Sequence, residues 1–329
     1  PVSITLEEFL RQVNNAIPES NRMLASLRDE SALSISSWFQ TNLPPSSNLR
    51  RYLNEELEHV RPGMVSKGVI PKVFYSGVNV DWSVFQQELD VKRAVTDDLI
   101  LECVLADNRK KAPSIYLVKG HAGAGISVAL RRFAWDAAKD FGARVLFLKE
   151  GGVLRSSLVA EIGELAQERI VLVIDDALKH LTDIARLYSE ASAKHIELQI
   201  VIAARTNEWN SVPADTKIPP IFEEYELKDL SERDIGSLLD KLGQHDALGE
   251  LSKMSRPEQF AHFKLHSERQ LMVALHEATS GKPFEEIAFS EYAHVVPIEA
   301  QILYLDICTL HRLGVSVRAG LVSRVSGVT

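Results

Sequence analysis

Cysteine is scarce in this sequence of 329 residues, which has two, Cys103 and Cys308. Two thiols so far apart exclude a disulfide framework and a structural zinc site, because both need larger sets of ligands at close spacing. Both cysteines lie in apolar, helical patterns. We therefore expect buried, reduced thiols, as in a reducing cytoplasm.

Long apolar runs and blocks of positive charge are also missing. No stretch approaches the roughly 20 apolar residues of a membrane-spanning helix, and there is no signal-peptide pattern. The net charge is −8 and no lysine- or arginine-rich block stands out, which disfavours nucleic acid and anionic membranes as partners. We expect a cytoplasmic protein that does not bind membranes, and nucleic acid is not the expected partner.

The composition is that of an ordinary globular chain. Hydrophobic residues make up 45% and charged residues 25% of the sequence, so a sizeable core can form. The length suits about two domains. Because the sequence starts with proline, we expect it to be a piece of a longer protein.

Strands and helices alternate from Ser114 to Arg205, which predicts an α/β fold with a parallel sheet. The strand candidates are continuous apolar runs, as expected when both faces of a sheet are covered. The predicted strands are 115–120, 143–150, 169–177 and 198–205, and the predicted helices between them are 127–142, 156–168 and 180–195.

The flanks of this pattern read differently. Upstream, residues 48–60 predict an amphipathic helix capped by Ser46 or Ser47. Residues 67–93 look loop-like, and a helix is predicted from Ala94 to about Asp107. Downstream of Tyr225 nearly the whole sequence predicts helices.

The stretch GHAGAGIS lies between a predicted strand and a predicted helix. It follows the phosphate-binding pattern G-x-x-x-x-G-K-[ST] except at one position. Glycines let the backbone approach a phosphate, the helix N-terminus attracts its charge, and Ser127 offers a hydroxyl to Mg²⁺. The residues expected to bind the nucleotide are Gly120, His121, Ala122, Gly123, Ala124, Gly125, Ile126, Ser127 and Val128.

Ile126 stands where the pattern requires lysine. Losing that cation would weaken phosphate binding about ten- to a hundredfold and would remove charge stabilisation during phosphoryl transfer. Three explanations stay open: an engineered substitution, a natural loss that leaves a sensing or structural module, or another cation such as Lys119 or Arg131. An isoleucine that simply packs is compatible with the second.

Asp175 and Asp176 follow a buried apolar strand. Carboxylates at the end of a parallel strand lie at the edge where ligands bind. We predict that Asp175 and Ser127 hold Mg²⁺, and that Asp176 orients or activates the attacking water. The alternative is that these aspartates cap the following helix.

Arg205 ends the next predicted strand. From there a guanidinium could reach the terminal phosphate of a nucleotide, so we predict a catalytic or sensing role for Arg205 alongside Asp176. The alternative is a salt bridge to one of the two aspartates.

Together these residues resemble the STAND class of signalling NTPases. The phosphate loop, the strand that ends in two aspartates and the strand that ends in arginine carry the resemblance. The helix LSERDIGSLLDKLG and the SGKP motif, which would place Pro283 against the nucleotide, are also similar to that class. The segment 73–93 looks like the lead-in of bacterial antiphage-defence members, which implies that Val91 and Arg93 line the adenine pocket.

The resemblance implies four parts of the chain. They are a helical linker from an upstream effector (1–70), a P-loop nucleotide-binding domain (71–228), an all-α helical lid (229–295) and the start of a winged-helix domain (296–329). The first residues also resemble, over a short stretch, the segment that follows a sirtuin-like effector.

The family mechanism would be a switch between two states. ADP would hold the closed state, and exchange for ATP with Mg²⁺ would allow self-association and activate the effector when a downstream sensor is triggered. Ile126 puts nucleotide affinity and hydrolysis in doubt. Two other readings stay open: a pseudo-NTPase scaffold that binds no nucleotide, and an active AAA+ type motor.

Overall fold

The computed structural model describes residues 45–64, 68–77, 80–106, 112–267 and 284–312, with the single positions 35, 37–39, 66, 271 and 275. Within this part, six strands form one sheet in the order β1-β3-β4-β5-β2-β6. The first strand is antiparallel to β3 and the other neighbours are parallel. The strands are β1 Leu57–Val60, β2 Ser114–Gly120, β3 Arg144–Leu148, β4 Ile170–Ile174, β5 Leu198–Arg205 and β6 Glu223–Leu227.

Helices cover both faces of the sheet and continue beyond its last strand. The α-helices are α1 Ser47–Glu55, α2 Pro71–Tyr75, α3 Ser83–Gln86, α4 Ala94–Leu99, α5 Ile126–Phe141, α6 Ser156–Ala166, α7 Leu181–Ala193, α8 Thr206–Asn210, α9 Glu232–Gln244, α10 Arg256–Ser267, α11 Phe284–Ala293 and α12 Ile298–Arg312. A π-helical segment, Ile100–Leu105, continues α4, and 3-10 turns span Ala177–His180 and Gly249–Lys253.

Two apolar cores lie on opposite faces of the sheet. Alternate residues of β2 enter different cores: Tyr116 and Val118 join the first, and Ile115 and Leu117 join the second. The first core also takes side chains from α4, α5 and α9, and the second from α1, α6 and α7. The predicted α/β fold with a mostly parallel sheet is confirmed, and covering both faces explains its continuous apolar strands.

The predicted helix over 48–60 is wrong at its C-terminal end. The helix stops at Glu55, and Leu57–Val60 forms an edge strand whose residues pair with Val145–Leu148. Leu57 is buried in one core and Val60 in the other. Pairing with the sheet therefore overrides the local helical pattern.

One strand has no counterpart among the predictions. Glu223–Leu227 pairs with β2 at the sheet edge, although three of its five residues are glutamates. An exposed edge strand needs no apolar run, so the apolar signal that identified the other strands is missing here. The loop-like region likewise contains two short helices, α2 and α3, which bury Tyr75 and Phe85.

Some of the remaining expectations concern residues that the structure describes, and the others lie outside them. Cys103 is buried as predicted, but Cys308 is exposed, which contradicts the expectation of two buried thiols. After residue 229 the described segments are helical. Pro283, the N-terminal residues that carry the sirtuin resemblance, and positions 313–329 of the expected winged-helix start lie outside the described residues.

Candidate functional site

The stretch between β2 and α5 forms a tight turn that leads directly into the helix. Gly123 and Gly125 have φ angles of 78° and 89°, in the left-handed region that favours glycine. The Ala124 N–H donates to the His121 carbonyl at 3.1 Å, and the Ala129 N–H donates to the Gly125 carbonyl at 2.9 Å. The N–H groups of the helical turn before Ala129 therefore have no helical carbonyl to bond.

This turn lines a cavity of about 1050 Å³ at the carboxyl edge of the sheet. Every predicted phosphate-binding residue from His121 to Val128 lies on its wall, whereas Gly120 is buried at the end of β2. Unbonded N–H groups and the positive end of the helix dipole form a binding site for an anion. The backbone of the loop therefore fits a phosphate group.

Ile126 is the first residue of α5 and is partly buried against the first core. A β-carbon built on Gly120 would lie 3.1 Å from Ile126 Cγ1 and 3.3 Å from Leu227 Cβ. The isoleucine thus fills the space that glycine leaves open at the end of β2. This geometry fits the reading in which Ile126 occupies the lysine position as an ordinary packing residue.

The two cations considered as substitutes differ in position. Lys119 Nζ lies 2.6 Å from Glu224 Oε2 on β6, so it is already paired. Arg131 lines the cavity, with its guanidinium carbon 4.9 Å from the centre of the Phe147 ring. Of these two, Arg131 is the one whose charge borders the cavity.

Asp175 and Asp176 line the same cavity, directly after β4. The Asp176 N–H donates to Asp175 Oδ1 at 3.1 Å. Asp176 precedes the 3-10 turn, but its side chain makes no capping hydrogen bond and instead lies 2.5 Å from Lys179 Nζ. That hydrogen bond raises the pKa of Lys179. The carboxylate of Asp176 therefore forms an exposed ion pair with Lys179 and does not cap the 3-10 turn.

Arg205 ends β5 beside the end of β2, where its Cα pairs in register with that of Gly120. The guanidinium is half-exposed, lines the cavity, and bonds Glu208 Oε1 at 3.0 Å. Its partner is thus Glu208, not one of the two aspartates that the alternative reading named.

Val91 and Arg93 reach the cavity from the segment before α4. The Arg93 guanidinium donates to the carbonyls of Lys228 and Asp229 and lies 3.5 Å from Asp234 Oδ2. Burial lowers the pKa of Arg93, while the charges of Asp234 and Asp229 oppose that shift. The side chain of Arg93 therefore ties the segment before α4 to the start of α9.

Several lining residues were missed from the sequence. The charged or polar ones are Lys149, Glu150, Lys179 and His180, and the apolar ones include Phe74, Tyr75, Leu230, Leu238, Leu271 and Leu275. Leu230 lies in the connection between β6 and α9, and the other three leucines lie in helical segments far along the chain. No local sequence pattern predicts that these leucines line the same cavity as the phosphate loop.

The described residues contain no preformed cluster of three or more metal-binding side chains. Ser127 and Asp175 both line the cavity, and oxygen ligands of this kind suit Mg²⁺. A magnesium ion here would need phosphate oxygens and water to complete its shell. The site therefore fits a metal that arrives with a nucleotide.

Comparison with known proteins supports this reading of the cavity. Residues 72–217, less than half of the 329 residues, match the family described as Novel STAND NTPase 5. The matched segment contains the phosphate loop, both aspartates and Arg205, and it supports a STAND-type, nucleotide-binding NTPase module. No curated protein matches the chain.

Solved structures resemble the chain only distantly. An S. cerevisiae Hsp104:casein complex has 13% identity and a TM-score of 0.41, over 68% of this chain and 39% of that one. C. elegans PCH-2 has 12% identity and a TM-score of 0.38, over 60% of this chain and 71% of that one. Domain III of the Thermotoga maritima replication initiation protein DnaA has 14% identity and a TM-score of 0.38, over 68% of this chain and 96% of that one.

In the described part of the chain, no helix is both long and apolar enough to cross a membrane.

Proposed function

We propose that this chain is a nucleotide-gated signalling module that binds ATP or ADP with Mg²⁺. The observation that carries the proposal is the convergence of the phosphate loop, Asp175 and Arg205 on one cavity of about 1050 Å³. That volume is of the size that ligand sites of small molecules have. The match to a STAND family over the same residues supports a switch as its purpose.

The roles of the residues follow from their positions. Backbone N–H groups of the first turn of α5 bind the phosphates, and Ser127 with Asp175 holds Mg²⁺, which would offset phosphate charge. Asp176 orients water once a ligand releases it from Lys179. Arg205 responds to the terminal phosphate by exchanging its bond to Glu208 for one to the ligand.

Ile126 sets the limits of this chemistry. The loop offers N–H groups but no lysine charge, so affinity is lower by about ten- to a hundredfold than with lysine. Hydrolysis is slow or absent, because the transition state of phosphoryl transfer develops charge that lysine would stabilise. A site of this kind suits a switch better than a motor.

The wider role is that of a bacterial immune protein. We infer that the helical lid closes over ADP, that exchange for ATP permits self-association, and that this activates an upstream effector when a downstream sensor is triggered. The immune context depends on the resemblance of residues 73–93 to antiphage-defence proteins. The location we propose is the cytoplasm.

Titration calorimetry tests this function. ADP and ATP with Mg²⁺ are titrated into the chain and into Ile126→Lys, with Ser127→Ala in each background as the control for the Mg²⁺ contact. We expect tighter binding by Ile126→Lys, by about ten- to a hundredfold, and a loss of the Mg²⁺ dependence with Ser127→Ala. If neither form binds either nucleotide, the proposal is wrong.

A pseudo-NTPase scaffold is the second candidate, and the packing of Ile126 against Gly120 favours it. In this reading the fold serves protein contacts and the cavity has no nucleotide. Thermal unfolding separates the two candidates, since a ligand that binds the native state raises the melting temperature. A scaffold would melt at the same temperature with and without millimolar ADP.

A further inference from the structure

A network of buried charges joins the segment before α4 to the helix after the phosphate loop. Arg132 on α5 donates through Nε to Asp90 Oδ2 at 2.9 Å and through Nη2 to Asp90 Oδ1. Its Nη1 donates to Asp136 Oδ1 at 3.1 Å, one helical turn further along. Arg132, Asp90 and Asp136 are 7%, 5% and 4% exposed, respectively.

Other side chains complete the network. Lys92 Nζ lies 3.1 Å from Asp136 Oδ2, and the guanidinium carbon of Arg132 lies 5.2 Å from the centre of the Phe85 ring. Burial opposes the charge of Arg132, but hydrogen bonds and charge from Asp90, followed by Asp136, outweigh it and raise the pKa. Arg132 therefore keeps its charge inside the protein.

Such a network fixes the relative position of its members more than it adds to the free energy of unfolding. Buried ion pairs often add little free energy of folding over apolar side chains of similar size, because losing their hydration offsets their attraction. A bidentate pair between arginine and a carboxylate does fix both distance and orientation. The pair of Arg132 and Asp90 therefore fixes how its two segments lie relative to each other.

Both segments form walls of the cavity. Asp90 and Val91 line it from the segment before α4, while Ser127 and Val128 line it from the first turn of α5. Arg132 lies on α5 one turn after Val128 and reaches back to Asp90. The hydroxyl of Tyr75 supports the same wall by donating to the Leu89 carbonyl at 2.8 Å.

We propose that Arg132 is a positioning residue for nucleotide binding, which holds the wall that carries Val91 at a fixed spacing from the phosphate loop. The inference rests on the proposed function, because it concerns the same cavity. A nucleoside diphosphate has to contact both walls at once, so walls that are already correctly spaced improve its affinity. Arg132 acts through Asp90 and does not contact the ligand.

The test compares Arg132→Met and Asp90→Asn with the unaltered chain. ADP affinity is measured by calorimetry, and amide hydrogen exchange is followed in residues 86–93 and 121–130. Arg144→Met is the matched control, since it removes an ion pair with Glu168 at the amino end of β3, away from the cavity. If Arg132→Met does not fold, Asp90→Asn decides, because Arg132 then keeps Asp136 as a partner.

We expect both cavity variants to bind ADP at least about fivefold more weakly, with faster exchange in 86–93 and unchanged exchange in 121–130. The control variant Arg144→Met should change neither the ADP affinity nor the exchange in these two segments. A smaller loss of affinity, or exchange that rises equally in both segments, would overturn the inference. If the unaltered chain binds no ADP, the proposed function itself has failed. If it binds ADP and the variants bind it equally tightly, only the role of Arg132 is wrong.

Discussion

Single residues at this site act mainly through the backbone conformations and partners that the fold gives them. Asp176 and Arg205 carry the charges that the sequence suggested, yet each is paired with a close neighbour along the chain, Lys179 and Glu208. A ligand must compete with those short-range pairs, which are half-exposed and hence weak. The glycines of the loop, in contrast, contribute directly, because they set the direction of the N–H groups.

Gly125→Ala tests the loop at this scale. Gly125 has a φ of 89°, and a left-handed alanine costs about 1–2 kcal/mol of stability, although among the residues that the structure describes a β-carbon there meets only Leu271 Cδ2, at 3.6 Å. We expect a lower unfolding midpoint together with weaker ADP binding, measured by thermal melting and calorimetry. Gly142→Ala, at the other end of α5 with a φ of 64°, is the matched control. Gly142→Ala should lose a similar amount of stability and keep its ADP affinity. An equal loss of ADP affinity in the two variants would contradict the prediction.

Among the elements, α9 links the sheet to the helical region. Its capping box joins Ser231 and Asp234, and Asp234 also lies 3.5 Å from Arg93 Nε. Further along α9, Lys241 donates to the Glu88 carbonyl, while Leu238 lines the cavity. The same helix therefore borders the cavity and contacts the segment that carries Val91, which suits an element that responds to a ligand.

Ser231→Ala should loosen the beginning of α9. The Ser231 hydroxyl accepts from the Asp234 N–H at 3.2 Å, and losing such a cap costs about 1 kcal/mol. Amide exchange in the first turn of α9 should then become about fivefold faster. The control is Ser46→Ala, which removes the cap of α1, where Ser46 accepts from the Leu49 N–H at 3.1 Å. Faster exchange in α9 with the control variant would argue against a local effect.

For the molecule as a whole, the upstream segment α1–β1 is part of the sheet and is hydrogen-bonded to a loop that lines the cavity. The Lys149 N–H donates to the Glu56 carbonyl at 2.9 Å, and the Val153 N–H donates to Glu56 Oε2 at 2.8 Å. The loop between these two donors lines the cavity through Glu150. This cavity loop is therefore hydrogen-bonded directly to Glu56, the residue between α1 and β1.

Acid should destabilise the whole fold through His59. This histidine is 9% exposed, its ring contacts Trp38 at a centroid distance of 4.5 Å, and burial lowers its pKa to about 4. Because the unfolded chain binds a proton near pH 6.5, stability is full above that pH. It falls by up to about 3 kcal/mol as the pH drops toward 4.

Denaturant unfolding between about pH 7 and about pH 4.5 measures this loss. His59→Gln should flatten the pH dependence, whereas His195→Gln, at an exposed position, should leave it unchanged. An equally steep dependence in His59→Gln would show that other groups cause the loss.

The sequence by itself determined the parallel α/β class, and it located the glycine-rich turn and the two aspartates that line the cavity, because each depends on a short local pattern. Apolar runs identify strands buried on both faces, and glycine spacing identifies a turn that can approach a phosphate. It could not identify β1 and β6, because edge strands are stabilised by pairing with a neighbour and not by an apolar run of their own.

Only the tertiary structure decided which residues meet. Leu271 reaches Gly125, Arg132 joins Asp90, and Glu56 bonds the loop after β3, all across long distances in sequence. It also decided that Ile126 packs against Gly120, where a reading of the sequence could only register a missing lysine. Contacts of this kind follow from how the layers pack around the sheet, and packing depends on the whole chain at once.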